Sequence, residues 1–321
     1  MLPVGTVAPR PAYKMEKIYL GIEIGGTKLQ AIIGNEPATI RERRRLTVNA
    51  AKGGASIRQQ IEEMLPELLR VYSVEAIGVG FGGPVDWRSG KIFRSHQIEG
   101  WSGFDLAGWL RSLTNKPVAV ENDANLGALG EATHGAGVGF SPVVFLTLGS
   151  GMGGGLVVDG KIYHGAIPGE AEIGHVLLDR HGTIVEQRCS GWAVDRKIRE
   201  LKTTAPESLL ARLAGESVGG EAKSLKAALA QSDALAQRIL DETSDDLAFA
   251  LSHVVHLFHP EMIILGGGLS LVGEPLRAAV AKRLDGLIME VFWPGPQINL
   301  SKLGEDAIPV GALVLARRAL N

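Results

Sequence analysis

The sequence predicts an α/β fold built from two similar halves that face a central cleft. Three observations lead to this prediction. Apolar strand-like runs alternate with helical segments along the 321 residues. A strand, a glycine-rich tip and a returning strand occur twice, at residues 18–33 and 143–158. Between them, the apolar run 118–120 ends in Glu121-Asn122-Asp123, at a predicted corner between a strand and a helix. Open α/β sheets bind ligands at such corners, beyond the carboxyl ends of their strands.

The composition narrows the class of protein. Glycine makes up 42 of the 321 residues, about twice its usual share, and is bunched in a few clusters. The net charge of -2 comes from 33 basic and 35 acidic side chains without a long block of one sign, which argues against nucleic acid as a partner. A single cysteine excludes an internal disulfide framework, and we find no signal peptide or membrane span. We therefore expect a cytoplasmic protein.

The first half of the chain starts with a hairpin. A Pro-, Ala- and Gly-rich stretch, residues 1–17, precedes it and is expected to be a disordered tail. Strand-like residues 18–23 and 29–33 flank the tip Gly25-Gly26-Thr27-Lys28. The patterns that follow predict helix 56–71, strand 76–79, helix 106–113 and strand 118–120.

The second half repeats this start. Residues 143–148 and 156–158 are predicted strands around a glycine-rich tip at residues 149–155. A later strand, 261–265, runs into a third glycine cluster, Gly266-Gly267-Gly268. Helical spacing predicts helices over residues 191–202, 206–213, 225–230, 232–258, 275–284 and 311–320.

The polar corner at residues 121–125 is open to two interpretations. Asn122 or Asp123 can cap the small-residue helix 124–133, which is the ordinary role of an Asp at such a place. The glycine tips on either side of it in the chain favour the other interpretation, in which the carboxylate faces a ligand.

The two glycine tips are predicted to bind phosphate. Successive backbone N–H groups without side chains form an anion-binding nest, to which Thr27, Thr147 and Ser150 add hydroxyl donors and Lys28 adds a charge. For either tip taken alone, a tight turn without a ligand is the alternative. A dinucleotide site is not expected, because Gly149-x-Gly151-x-x-Gly154 leads into a strand and such a fingerprint must open a helix.

Five strings, in this order, resemble the ROK family of sugar kinases and sugar-responsive repressors. They are GIEIGGTK at 21–28, ENDAN at 121–125, TLGSGMGGG at 147–155, GEAEIGH at 169–175 and ILGGG at 264–268. The resemblance implies the actin-like ATPase fold of the ribonuclease H-like type. It also implies ATP and Mg²⁺ in the cleft, transfer of the γ-phosphoryl group to a hydroxyl of a hexose or hexosamine, and a homodimer.

The resemblance also implies domain boundaries and the roles of single residues. The smaller lobe would comprise residues 18–122 plus 304–321, and the larger lobe 123–303. Asp123 would be the general base, and an ionised carboxylate at a helix N-terminus can take the hydroxyl proton. Glu23 would reach Mg²⁺ through water. The implied sugar contacts are Gly83, Asn122, Glu172, His175 and Glu186. The implied nucleotide contacts are Gly25, Gly26, Thr27, Lys28, Thr147, Gly149, Ser150, Gly151, Gly266, Gly267 and Gly268.

The segment between His175 and Glu186 departs from the family's pattern. Many ROK proteins hold a structural zinc there through that histidine and three cysteines, but this segment has 10 residues and no cysteine. A site made of His175, His181 and Cys189 would be incomplete, so we expect no structural zinc. Glu23 also differs, since the family usually has Asp at its position.

Alternative functions come from other classes. A sugar-responsive repressor carries a winged-helix domain before the first hairpin, and the 17 residues before Ile18 are too few to form one. The other alternative is a sugar-binding protein with weak or no catalysis. Glu23 and the absent zinc loop are compatible with this alternative, whereas Asp123 and both glycine tips argue against it. Gly82 and Gln97 differ from the usual family residues in loops expected to contact the sugar. The sequence thus leaves open which sugar is used, and whether ATP or polyphosphate is the donor.

Overall fold

The structure is a computed structural model that describes residues 16–35, 37–95, 98–167, 169, 171–216 and 218–320. The predicted tail lies outside these residues except for Glu16 and Lys17, and Gln97 lies outside them as well. Within the described ranges, every helix is too short or too polar to cross a membrane.

The strands within the described residues form two five-stranded sheets and a small hairpin. In chain order they are β1 (Ile18–Ile24), β2 (Lys28–Asn35), β3 (Thr39–Thr47), β4 (Val74–Phe81), β5 (Val85–Asp86), β6 (Lys91–Ile92), β7 (Val118–Asn122), β8 (Val143–Leu148), β9 (Met152–Val158), β10 (Lys161–Ile162), β11 (Met262–Gly266) and β12 (Gln297–Leu300). The apolar runs identified in the sequence supply the central strands, because such runs can be buried on both faces.

Helices connect and cover these sheets. In chain order they are α1 (Gly53–Val71), α2 (Leu106–Thr114), α3 (Asp123–His134), α4 (Val185–Cys189), α5 (Gly191–Thr204), α6 (Leu209–Ala214), α7 (Leu225–Leu229), α8 (Ala234–Phe258), α9 (Glu274–Leu284) and α10 (Ala307–Arg318). The predicted helix 232–258 corresponds to α8, which Asp233 caps through a hydrogen bond from Ala236 N.

The two sheets have the same topology. The strand order is β3-β2-β1-β4-β7 in the first and β10-β9-β8-β11-β12 in the second. In each sheet the first strand pairs antiparallel with its hairpin partner and parallel with the strand on its other side, β4 for β1 and β11 for β8. This correspondence confirms the prediction of two similar halves in an α/β fold.

Strand β1, at the centre of the first sheet, is buried on both faces. Leu20 and Ile22 of β1 belong to the core that α1 and α2 cover, whereas Tyr19 points the other way and packs with Leu313 of α10. This alternation follows from the two-residue period of a strand. The first glycine-rich loop therefore starts from the end of a buried strand.

Helices α3 and α10 pack against each other through glycines. Gly155 of β9 brings the second sheet against Ala128 of α3, and Gly78 of β4 brings the first sheet against Ala312 of α10. A Cβ atom on Gly311 would lie only 1.9 Å from the carbonyl oxygen of Leu126. The helix that begins with Asp123 is therefore fixed against both halves of the molecule.

The substitution Gly311→Ala is expected to lower the free energy of unfolding by about 3 kcal/mol, because overpacking at a backbone contact forces two helices apart. Gly286→Ala is the matched control, since a Cβ there meets its nearest atom, the Arg283 oxygen, at 3.8 Å. Urea denaturation of both variants measures the effect. A loss below about 1 kcal/mol for Gly311→Ala would contradict this helix packing.

Candidate active site

A cavity of about 1080 Å³ lies between the two sheets. Residues at the carboxyl ends of β1, β4 and β7 line one side, and residues at the carboxyl ends of β8, β11 and β12 line the other. This is where parallel strands of α/β proteins present ligand-binding loops. All the site residues predicted from the sequence line this cavity except Gly266.

The corner between β7 and α3 presents Asp123 to the cavity. Asn122 caps the helix, because its Oδ1 accepts hydrogen bonds from Ala124 N at 2.9 Å and Asn125 N at 3.2 Å. Its Nδ2 donates to the Gly83 oxygen at 3.2 Å, which ties the corner to the loop after β4. Of the two residues that the sequence allowed as the cap, Asn122 is the main one, although Asp123 Oδ1 also accepts from Ala124 N at 2.8 Å.

The Asp123 carboxyl has a strongly altered acidity. Burial, and after it the negative charge of Glu23, raise the pKa of Asp123 to about 7, with a smaller contribution from Glu172. The hydrogen bond from Ala124 N acts in the opposite direction. A carboxyl with a pKa near 7 can exchange a proton at neutral pH, and such a group in a cleft is typical of a general base.

The first glycine tip connects β1 to β2. Gly25 N donates to the Lys28 oxygen at 2.9 Å and closes the turn, and Gly82 N donates to the Ile24 oxygen at 2.9 Å. Lys28 Nζ lies 2.9 Å from Glu23 Oε1, so its charge is paired with a buried carboxylate at the base of the tip. Glu23 also accepts a hydrogen bond from Gln30 Nε2.

The carboxylates near this tip suit Mg²⁺. Glu23 and Asp123 both line the cavity, and their mutual repulsion contributes to the raised pKa of Asp123. Among the described residues, no group of three or more His, Cys, Asp and Glu side chains is arranged to hold a metal by itself. Oxygen groups of this kind fit Mg²⁺, which takes most of its ligands from water and substrate phosphates.

The second glycine tip connects β8 to β9 and is shorter than predicted, because the returning strand β9 already begins at Met152. Gly149 N donates to the Gly151 oxygen at 2.9 Å, and Gly191 N of α5 donates to the Gly149 oxygen at 2.8 Å. Glu186 Oε2 accepts a hydrogen bond from Met152 N at 2.7 Å. A Cβ on Gly151 would lie 2.6 Å from the same carboxylate oxygen, so Glu186 would have to move if residue 151 carried a side chain.

Glu172 and His175 both line the cavity. Glu172 precedes the short turn Ile173–His175, and His175 N donates to the Glu172 oxygen at 3.0 Å. The segment after this turn, residues 176–185, folds back on itself. Leu178 N donates to the Thr183 oxygen at 2.8 Å, and Asp179 Oδ1 accepts from His181 N at 2.7 Å. These hydrogen bonds shape the segment where the family pattern has its zinc loop.

Cys189 is fully buried at the end of α4, and its Sγ lies 3.7 Å from the Thr243 oxygen. Burial raises the pKa of this thiol to about 12, so the thiol is neutral at pH 7. The thiol packs in the core of the second half. The absence of a structural zinc in the protein stays a prediction.

The third glycine cluster follows β11. Gly267 has φ +78 and would place a Cβ 2.6 Å from Leu148 backbone atoms, so only glycine fits there, whereas a Cβ on Gly268 would meet open space. Gly266 faces the ring of Phe145 instead of the cavity. The structure gives Gly266 a packing role, and its contact with a nucleotide stays a prediction.

Two charged side chains that the sequence did not single out also line the cavity. Lys226 of α7 lies beside the third cluster, with its Nζ 3.7 Å from the position of a Cβ on Gly273. Glu305, just before α10, lies on the side of the first tip and is paired with Arg45 at 2.9 Å. Each comes from a segment without a motif of its own, so only the fold shows that it belongs to the site.

Known proteins are similar to this chain over nearly its whole length. The ROK family model matches residues 19–319. The glucokinase of Thermotoga maritima is 32% identical over 310 residues, which cover 94% of this chain and 98% of that protein. The glucokinase of Halalkalibacterium halodurans is 30% identical over 320 residues, which cover 95% and 97% of the two chains.

A solved structure shows the same fold. The ROK family glucokinase of Streptomyces griseus, determined in complex with glucose and AMPPNP, aligns with a TM-score of 0.81 and 31% identity. The alignment covers 94% of this chain and 99% of that one. It confirms the actin-like ATPase fold that the sequence motifs implied. Together with the family match, it shows that this chain belongs to the ROK family.

Proposed function

We propose that this ATP-dependent sugar kinase transfers the γ-phosphoryl group of ATP to a hydroxyl of a hexose or hexosamine, with Asp123 as the general base. One observation carries the proposal: the Asp123 carboxyl, with a pKa near 7, shares one cavity with both glycine tips. The glucokinase relatives and the structure holding glucose and AMPPNP support a sugar as acceptor and ATP as donor.

The nucleotide side of the cavity consists of the three glycine clusters. Backbone N–H groups of the two tips, with the hydroxyls of Thr27 and Ser150, would hold the phosphates, and the nucleoside would lie against Gly267 and Gly268. Mg²⁺ would neutralise charge on the phosphates, with Glu23 reaching it through water. Phosphoryl transfer depends mainly on such positioning and charge neutralisation.

The sugar side of the cavity lies next to Asp123. Carboxylate oxygens accept hydrogen bonds from hydroxyls, and amide and imidazole groups can donate or accept them. The side chains that line this side are those of Asn122, Glu172, His175 and Glu186, together with the backbone of Gly83. A hydroxyl held among them would meet Asp123 on one side and the γ-phosphate on the other.

The structure of the Streptomyces griseus relative holds AMPPNP, which supports ATP over polyphosphate as the donor.

The division into lobes follows the sheets. We place the smaller lobe at residues 18–122 plus 304–321 and the larger at 123–303, because each contains one of the two five-stranded sheets. The homodimer, the cytoplasmic location and the lack of a nucleic-acid partner stay predictions. Sedimentation of the purified protein tests the first of them.

A coupled assay of ADP release tests the proposed function. With Mg²⁺ and ATP, we expect turnover on at least one of glucose, mannose, fructose, N-acetylglucosamine and N-acetylmannosamine. Polyphosphate in place of ATP should give little turnover. If no sugar of this panel is phosphorylated while calorimetry shows that one binds, the protein is instead a sugar-binding ROK protein that has lost catalysis.

A further inference from the structure

We propose that Glu121, His164 and Trp87 form a positioning cluster that sets the sugar side of the cavity relative to the general base. The inference rests on the proposed function. Glu121 lies in β7, two residues before Asp123. Trp87 lies between β5 and β6 in the first half of the chain, and His164 follows β10 in the second half.

Glu121 is the centre of the cluster. Only 3% of its surface is exposed, and its carboxylate accepts three hydrogen bonds. Oε1 accepts from Asn122 N at 2.8 Å and from Asn125 Nδ2 at 3.1 Å. Oε2 lies 2.7 Å from His164 Nε2. A carboxylate oxygen accepts hydrogen bonds, so this contact suits an imidazole with a proton on Nε2.

The imidazole of His164 is held on a second side by Trp87. The two rings are stacked, with centroids 4.1 Å apart and planes inclined by 16°. The turn that carries Trp87 is closed by Asp86, which accepts hydrogen bonds from Arg88 N at 3.0 Å and Ser89 Oγ at 2.6 Å. Two residues of the first half of the chain thus contact the His164 imidazole of the second half. Glu121 accepts a hydrogen bond at the edge of the ring, and Trp87 stacks on its face.

This arrangement joins the base to the sugar contacts. His164 precedes Glu172 and His175, which line the main cavity, in one segment of the chain. Glu121 precedes Asp123 by two residues in another segment. Glu121 and Glu172 also line one small cavity of about 10 Å³ together with Asn122. The lining of the main cavity is formed by other residues, so the three members act through their neighbours and are positioning residues.

A pair of substitutions at His164 tests the cluster. His164→Leu removes the N–H donor, and we expect the sugar KM to rise about tenfold, because small misplacement of a bound substrate is costly. The KM for ATP should stay within about twofold, since the nucleotide lies at the glycine clusters. His164→Gln is the matched control, because its amide can still donate to Glu121. It should recover most of the sugar affinity.

Trp87 provides a second pair that does not depend on the folding of the His164 variants. Trp87→Phe keeps an aromatic face for the imidazole, whereas Trp87→Ala removes it. We expect only the alanine variant to raise the sugar KM, by about threefold to tenfold. Thermal melting of each variant shows which of them fold.

The outcomes separate this proposal from the proposed function. If the wild-type protein phosphorylates a sugar and His164→Leu and Trp87→Ala leave the sugar KM unchanged, the cluster has no positioning role. An equal rise in the KM values for sugar and ATP would also overturn it, because that result indicates general distortion. If turnover is absent, calorimetric titration with the sugar alone compares the sugar affinity of the wild type with that of the same variants. Failure of the wild-type protein to bind any sugar would instead refute the proposed function, and the cluster's role with it.

Discussion

The substitution Asp123→Asn is expected to lower kcat about a thousandfold, while the sugar KM changes by less than about threefold. The amide has nearly the size of the carboxyl and can still hydrogen-bond a sugar hydroxyl, but it cannot take up the hydroxyl proton. Steady-state kinetics on the best sugar of the panel measure both quantities. Turnover within about tenfold of the wild type would remove Asp123 from the role of general base.

The substitution Asp123→Asn is also expected to change the stability of the protein in a way that depends on pH. The pKa of Asp123 in the folded protein, about 7, lies above the ordinary value of 3.8, so holding Asp123 ionised costs folding free energy. That cost is full above pH 7 and shrinks as the pH falls towards 4. Asp123→Asn should therefore melt at a higher temperature than the wild type at pH 8, with a smaller gain at pH 5. A lower melting temperature at pH 8 would contradict this account of the site.

The second large effect is expected in the dependence of activity on pH. A general base works only when it is ionised, and kcat/KM reports the pKa of the free enzyme. With the Asp123 pKa at about 7, kcat/KM measured at low concentrations of both substrates should fall about tenfold per unit below pH 7. A profile that stays flat down to pH 5 would show that no group with this pKa controls the reaction.

Glu23 offers a way to assign that pH dependence. Its negative charge is the second largest cause of the raised pKa of Asp123, after burial. Glu23→Gln should therefore move the midpoint of the profile to lower pH, because one repelling charge is gone. If the midpoint stays where it is in the wild type, another group is responsible for the titration.

The parts of the site that the sequence predicted depend on short local patterns. The tips at Gly25 and Gly149 and the corner at Asp123 are each specified within a few residues, by glycine next to apolar runs or by a capping residue beside a strand. Their positions follow once the strands pair. The repeat of strand, tip and strand predicted the two similar sheets for the same reason.

The elements β3 and α4, which the sequence did not predict, lack a local pattern that would reveal them. β3 was missed because its middle, Arg41 to Arg45, is entirely charged; its arginines are paired with carboxylates such as Glu67 on α1 and Glu305 before α10. The five-residue helix α4 is too short to show a helical period.

The same limit applies to single side chains at the site. The ion pair between Lys28 and Glu23 was not predicted, although both residues were, since a hairpin register is needed to place them together. His164 gave no signal at all, because its partners Glu121 and Trp87 lie 43 and more residues away in the sequence. Such contacts become visible only after the two halves are assembled.

The most direct test of the central claim is a crystal structure of the protein with AMPPNP, Mg²⁺ and the sugar that it phosphorylates best. We predict that the sugar hydroxyl facing the γ-phosphorus lies within about 3 Å of an Asp123 carboxylate oxygen, with the phosphates between the tips at Gly25 and Gly149. A complex in which another residue holds that hydroxyl, or in which the phosphates lie outside the two tips, would contradict the account.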